Sequence, residues 1–319
     1  MPNIPNDKLL EVPWYAYRTW AATSRFIKAD LSRWTRSTLF LAIAGAILAA
    51  IGQELASLAA WPKAAQGAAV LASFAVALSA YFGKEALTPN KTSDWVKARS
   101  AAESLKAAVY MYRASAPPFD KADRAKALAD LVATVEARVD TIQTKVPAAE
   151  DPPDFSPLTV DEYIQQRVEE QIAWHDKRAC EYQKKNDTVG AAVLWLGAAS
   201  VVLAVVSALG FTTALIGLIA TLTASLSAHS QNQQYQFQIV NLQSASRRLR
   251  ALKGEWVASG KTDADTADRN AFIRSCEDAL AQENSAWFGQ WSKQRAPAQP
   301  IPQQPEEESR SEGSSSRSA

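Results

Sequence analysis

The sequence predicts an all-α membrane protein of two tandem units, each a two-helix transmembrane hairpin with long cytoplasmic helices. Three observations predict it: an uncharged run of 41 residues from Thr188 to Ala228, two shorter charge-free blocks upstream, and a residue pattern repeated after each. A helical crossing of the hydrocarbon core needs about 20 apolar residues, so the long run holds two. As one rod it would reach about 61 Å at about 1.5 Å per residue, and a turn is expected at Ser207-Ala208-Leu209-Gly210, glycine being the usual residue at a helix C-terminal stop. The spans are expected at about 188–207 and 211–229.

The first hairpin is expected at about 38–58 and 64–83. Ser37 to Gln53 and Ala64 to Gly83 carry no charge, and Glu54, Trp61, Pro62 and Lys63 between them suit a membrane–water boundary. A buried helix pair in a soluble bundle is the alternative. Basic residues flank the spans (Arg18, Arg25, Lys28, Arg33 and Arg36 before, Lys84, Lys91, Lys97 and Arg99 after), whereas the tips offer only Lys63. The positive-inside rule then places both termini and the middle segment in the cytoplasm of a multi-pass protein of the cytoplasmic membrane. Met1–Val12 has no apolar core, so a cleavable signal peptide is not expected.

Ser100-Ala101-Ala102-Glu103-Ser104-Leu105-Lys106-Ala107 returns as Ser244-Ala245-Ser246-Arg247-Arg248-Leu249-Arg250-Ala251, an offset of 144. Both halves would enter the membrane the same way round, a parallel duplication. Residues 1–146 form the first unit, 147–158 a proline-rich stiff linker, 159–293 the second unit and 294–319 a disordered tail of Pro, Gln, Glu and Ser. Thr159-Val160-Asp161-Glu162 predicts a capping box. From there Ile164, Val168, Ile172 and Ala179 predict one face of a helix that runs unbroken into the third span.

Charge and composition exclude several classes. With 34 Lys+Arg against 33 Asp+Glu there is no bulk attraction to nucleic acid. Two cysteines cannot form a disulfide framework, and neither Cys180 nor Cys276 carries a nucleophile signature. His175 and His229 lack partners at ligand spacing, so no metal and no cofactor is expected. Gly254 to Thr262 ends in Gly-Lys-Thr, but five residues separate its glycines where a phosphate loop has four, and it lies between helices. Asp263, Asp265 and Asp268 are expected to cap and charge the start of the last helix. No enzyme is expected.

The spans carry more chemistry. Thr213, Gly217, Thr221 and Ser225 recur every four residues beside Ala220, Ala224 and Ala228, with Leu215, Ile219, Leu222 and Leu226 on the opposite, lipid-like face. The first span holds Gly45, Ala49 and Gly52 in a like stripe, and the third Gly190 and Gly197. Such stripes either pack helices closely or line a water path in an assembly of several chains. Arg247, Arg248, Arg250 and Lys253 form a basic cluster for solvent, for a partner's acidic helix (Glu162, Glu169 and Glu170 are candidates) or for an anionic signal.

The chain resembles the SMODS- and SLOG-associating two-transmembrane effector group, known as SLATT. The likeness runs from Tyr163 to Trp291, through Gln171-Ile172-Ala173-Trp174-His175-Asp176-Lys177-Arg178-Ala179, the tight hairpin and a long helix ending near Glu283 and Trp287. The first half resembles a divergent copy, with Trp20 in place but no Asp-Lys after it. The resemblance implies a homo-oligomeric pore-forming effector of bacterial anti-phage defence, triggered through a nucleotide-sensing or nucleotide-making partner protein. A non-conducting membrane scaffold that recruits cytoplasmic partners is the alternative.

Overall fold

Every regular element of the structure, a computed structural model that describes residues 6–57, 61–86, 89–208 and 214–295, is a helix. The order is α1 (Asn6–Ser57), α2 (Pro62–Ala86), α3 (Pro89–Arg113), α4 (Arg124–Ala137), α5 (Val160–Tyr163), a π-helical stretch Ile164–Glu169, α6 (Glu170–Ala208), α7 (Ala214–Gln233), α8 (Tyr235–Ser259) and α9 (Thr266–Arg295). Backbone dihedrals stay right-handed helical at Tyr163 and Glu170, so α5, the π stretch and α6 form one continuous rod.

The rods divide into a polar bundle and an apolar layer. In the bundle, Tyr163, Leu249, Trp256, Ile273 and Cys276 pack between the α5–α6 rod, α8 and α9. Trp20, Ala98, Leu105, Val135 and Val139 join α1, α3 and α4. A third cluster, with Leu10, Val109, Tyr112, Phe119, Leu128 and Phe155, closes the far end. Ile164, Val168 and Ala179 are buried as their spacing predicts.

Local signals explain the boundaries. The Thr159 hydroxyl accepts from Glu162 N at 3.3 Å, and Glu162 Oε2 accepts from Thr159 N at 2.8 Å, the reciprocal capping box. Asp263 does not cap the last helix: its Oδ1 accepts from Val160 N at 3.0 Å, at the start of α5. Gly254 lies inside α8, which ends at Gly260, whose φ of +64° favours glycine. Gln234, at φ +49°, breaks α7 from α8.

The segment 147–158 is not free. Leu158 N donates to Arg113 O at 3.0 Å, Arg113 Nε donates to Ser156 O at 3.0 Å, and Phe155 and Leu158 are buried. Its prolines bar a helix, but its apolar side chains still find core. The last helix runs to Arg295, into the start of the expected tail; residues 296–319 lie outside the described residues.

The apolar layer is the C-terminal part of α1, α2, the C-terminal part of α6, and α7. Among the described residues three helices are long and apolar enough to cross a membrane: Lys8–Ser57, Pro62–Glu85 and Val160–Val206. No residue in the most apolar stretch of the third is buried within the chain. Leu194, Trp195, Val201, Val202 and Val205 are all more than 60% exposed there, as are Phe40, Val70 and Phe74 on α1 and α2. Burying such a side chain is worth about 1.5–3 kcal/mol, so this belt requires an apolar surrounding. At 52 residues α1 is about 78 Å long at about 1.5 Å per residue, far more than a hydrocarbon core of about 30 Å. It therefore serves the bundle and the apolar layer at once.

Candidate functional site

In the apolar layer α1 and α2 run antiparallel in close contact. A β-carbon on Gly45 would lie 2.9 Å from Val76 Cγ2 and 3.4 Å from the Ala72 carbonyl oxygen. One on Gly52 would meet the Ala65 carbonyl and Ala68 at 3.4 Å. Farther along, Ser79 Oγ donates to Thr38 O at 3.0 Å. Here the small stripe of the first span brings two backbones together. Gly45→Leu is expected to destabilise the chain by about 1–3 kcal/mol through overpacking. Thermal unfolding in detergent checks this, and a melting point equal to that of the native chain would contradict the close approach.

Around Gly190, Gly197 and Gly217 the geometry is different: a β-carbon on any of them would meet nothing within 4 Å. Helix α7 leans on α1 as well as on α6. Between α1, α2 and α7 lies an open crevice of about 810 Å³ that unites Gly45, Ala49, Gly217 and Thr221 with Ser73 and Gln53. No Asp, Glu, Lys or Arg lines it. Ser225, half-buried, and Gly52 are not on its wall, and Thr213 lies outside the described residues, as do Leu209 and Gly210 of the expected turn.

The faces of α7 depart from the expected arrangement. Gly217, Ala220, Thr221, Ala224 and Ala228 are exposed, whereas Ile219, Leu222 and Leu226 are half-buried against the chain. Bulky side chains supply more contact area, so they turn to the neighbouring helices and leave the small face open. Of the bulky set, only Leu215 is exposed. The Thr221 hydroxyl donates to Gly217 O at 2.9 Å, which satisfies its proton and leaves its oxygen free to accept.

The basic cluster is divided. Arg250 pairs with Asp176, whose other oxygen accepts from Ser246 Oγ at 2.7 Å, and Lys253 pairs with Glu169. Glu170 meets Lys106 at 3.8 Å, and Glu162 closes its capping box. The acidic residues proposed for a partner's helix are thus engaged within one chain. Arg247 and Arg248 remain exposed on α8.

Two arrangements escaped the sequence reading. Near the start of the spans, Lys28 Nζ sits 5.1 Å from the Trp95 ring centre and donates to Tyr182 Oη at 3.3 Å. Burial, with Arg99, Arg178 and Lys185 nearby, pushes its pKa down to about 8. Its charge therefore costs stability below that pH, and the cost is relieved as pH rises from about 8 towards the unfolded value. The other is a buried ion pair. Arg167, on the π stretch, gives Glu277 two bonds, Nε to Oε1 at 3.0 Å and Nη2 to Oε2 at 2.9 Å, and Tyr163 Oη donates to Oε1 at 2.9 Å. Arg167 is 1% exposed and Glu277 6%. Burial opposes the guanidinium charge, but Glu277 more than offsets this and holds it protonated. The signal was present: Arg167 falls on the apolar stripe of Tyr163, Ile164 and Val168, and Glu277 on that of Ile273, Cys276 and Leu280.

Comparison with known families divides the chain. Residues 163–287 match a family model described as SMODS and SLOG-associating 2TM effector domain 1. Residues 17–127 match one described as Protein of unknown function (DUF4231), so a second copy of the effector domain is not shown. No curated protein and no solved structure matches the chain. The two-transmembrane description and the exposed apolar belt agree: the described residues are helical, their apolar helices support a membrane protein, and residues 163–287 are similar to a two-transmembrane effector domain.

Proposed function

We propose that the chain is a membrane effector that forms or gates a pore in the cytoplasmic membrane when an anti-phage defence system signals. Several copies assemble with both termini in the cytoplasm. Each copy presents the small, uncharged face of α7 and the crevice beside it, and the two halves are divergent copies of one unit. The description of the matched model names SMODS and SLOG, which supports a nucleotide-making or nucleotide-sensing partner. The observation that carries the reading is the open crevice among α1, α2 and α7, where Gly45, Ala49, Gly217 and Thr221 meet without a charged residue. A path so lined passes ions with little selectivity.

Induced expression with a membrane-potential dye tests this: depolarisation is expected once the system is triggered, and unchanged polarisation of cells with the protein in the membrane contradicts it. The scaffold reading draws support from the Thr221 and Thr223 hydroxyls, both bonded back to their own helix, and from exposed Arg247 and Arg248. Thr221→Leu separates the two. A pore loses leak by about tenfold or more at unchanged assembly size, because the leucine narrows an uncharged path and removes a hydroxyl from its wall; a scaffold is unaffected.

A further inference from the structure

The polar bundle contains a second cavity, of about 510 Å³, between α3, α4 and α9. It draws on residues from both family-matched segments and lies apart from the apolar layer. Cavities of this size take ligands of drug-like dimensions, on the order of 300–1,000 Å³. Its wall is apolar, with Met111, Leu131, Val135 and Leu280. The Arg167–Glu277 pair also lines it. Three of the guanidinium's five N–H groups lie on the two nitrogens bonded to Glu277, but Nη1 is buried and has no hydrogen-bond partner.

The mouth supplies the charge. Lys97, Arg138 and Arg274 are exposed on the lining, and none of them takes part in an ion pair among the described residues. Glu103 and Asp278 oppose them, so the mouth carries three positive charges against two negative ones. With Arg167 neutralised by Glu277, the cavity has an excess of one positive charge over an apolar wall. Ser100 and Ser104, both exposed on α3, add hydroxyls.

We infer that this cavity is a binding site for a small organic anion, an apolar ring or chain bearing one oxyanion, carboxylate or phosphate monoester. The oxyanion meets the cationic mouth, while the body lies against Met111, Leu131, Val135 and Leu280. Occupancy ties α3 and α4 to α9. The site stands whether or not the spans conduct.

Calorimetric titration of the full chain in detergent tests it with four probes: 1-naphthyl phosphate, 1-naphthoate, uncharged 1-naphthylmethanol and inorganic phosphate. At least one naphthyl anion is expected to bind with Kd of about 1 mM or tighter, as fits a ligand of that size. It should bind about tenfold tighter than the alcohol and than bare phosphate, and the ranking of the two anions identifies the headgroup. Ser104→Trp, which adds bulk from an exposed position, should weaken that binding about tenfold at unchanged melting temperature; Ser100→Phe serves if that variant does not fold. Arg138→Ala with Arg274→Ala should weaken the anion and leave the alcohol unchanged. Absence of binding by both anions at about 10 mM overturns the inference, as does equal binding of the alcohol or binding that survives the filled cavity.

Discussion

Arg167→Ala is expected to destabilise the protein by about 3–5 kcal/mol, because it strands the Glu277 carboxylate inside the bundle. At 1% exposure the arginine cannot be replaced by water, and Tyr163 Oη alone remains as donor to Glu277. In a chain of this size the melting point should fall by on the order of 10 °C. Replacing both partners, Arg167→Met with Glu277→Leu, should recover most of the loss, since it is the unmatched charge that is costly. Thermal unfolding of the detergent-solubilised single and double variants reads both effects. A single variant within about 1 kcal/mol of native would mean that the pair is solvated and the bundle differently packed.

Leu194→Lys together with Val201→Lys is expected to abolish stable membrane insertion of α6. The two side chains are 72% and 67% exposed and seven residues apart, on one face of a stretch with no buried residue. In water an exposed leucine exchanged for lysine changes stability by less than about 0.5 kcal/mol. In the middle of a bilayer each lysine costs about 2.5–3.5 kcal/mol, so the pair costs about 5–7 kcal/mol. The same substitution is thus nearly silent or severe according to what surrounds the helix. Protease protection of the α6–α7 segment in membranes from cells expressing the double variant reads which, because α1 and α2 would still hold the chain in the pellet.

The long-range order of the chain was legible where the signal is local. Thr159 and Glu162 stand three apart, and a capping box needs nothing else. The unbroken helix from Val160 through Ala208 followed from an apolar stripe without a breaker, and the exposed belt on α6 followed from length and absence of charge. Contacts that close over a hundred residues were not legible. Asp263 caps α5 from 103 positions away, because folding brings the end of α8 beside it. Arg167 and Glu277 are 110 apart, and each alone is only a charge on an apolar face.

The candidate site was legible in composition but not in orientation. Gly45, Ala49, Gly217 and Thr221 were singled out by spacing, and they do share a crevice. Spacing cannot say which face of α7 turns inward. Bulky Ile219, Leu222 and Leu226 found partners within the chain and left the small face open, the reverse of a lipid-facing bulky stripe. Arg250 looked free because Asp176 lies on a different helix, 74 residues earlier.

The exposed apolar surfaces of α1, α2 and α6 are expected to lie in lipid. Washing membranes from expressing cells with alkaline carbonate tests this most directly. The native chain is expected to stay in the pellet until detergent is added; release into the aqueous fraction without detergent would contradict a place in lipid.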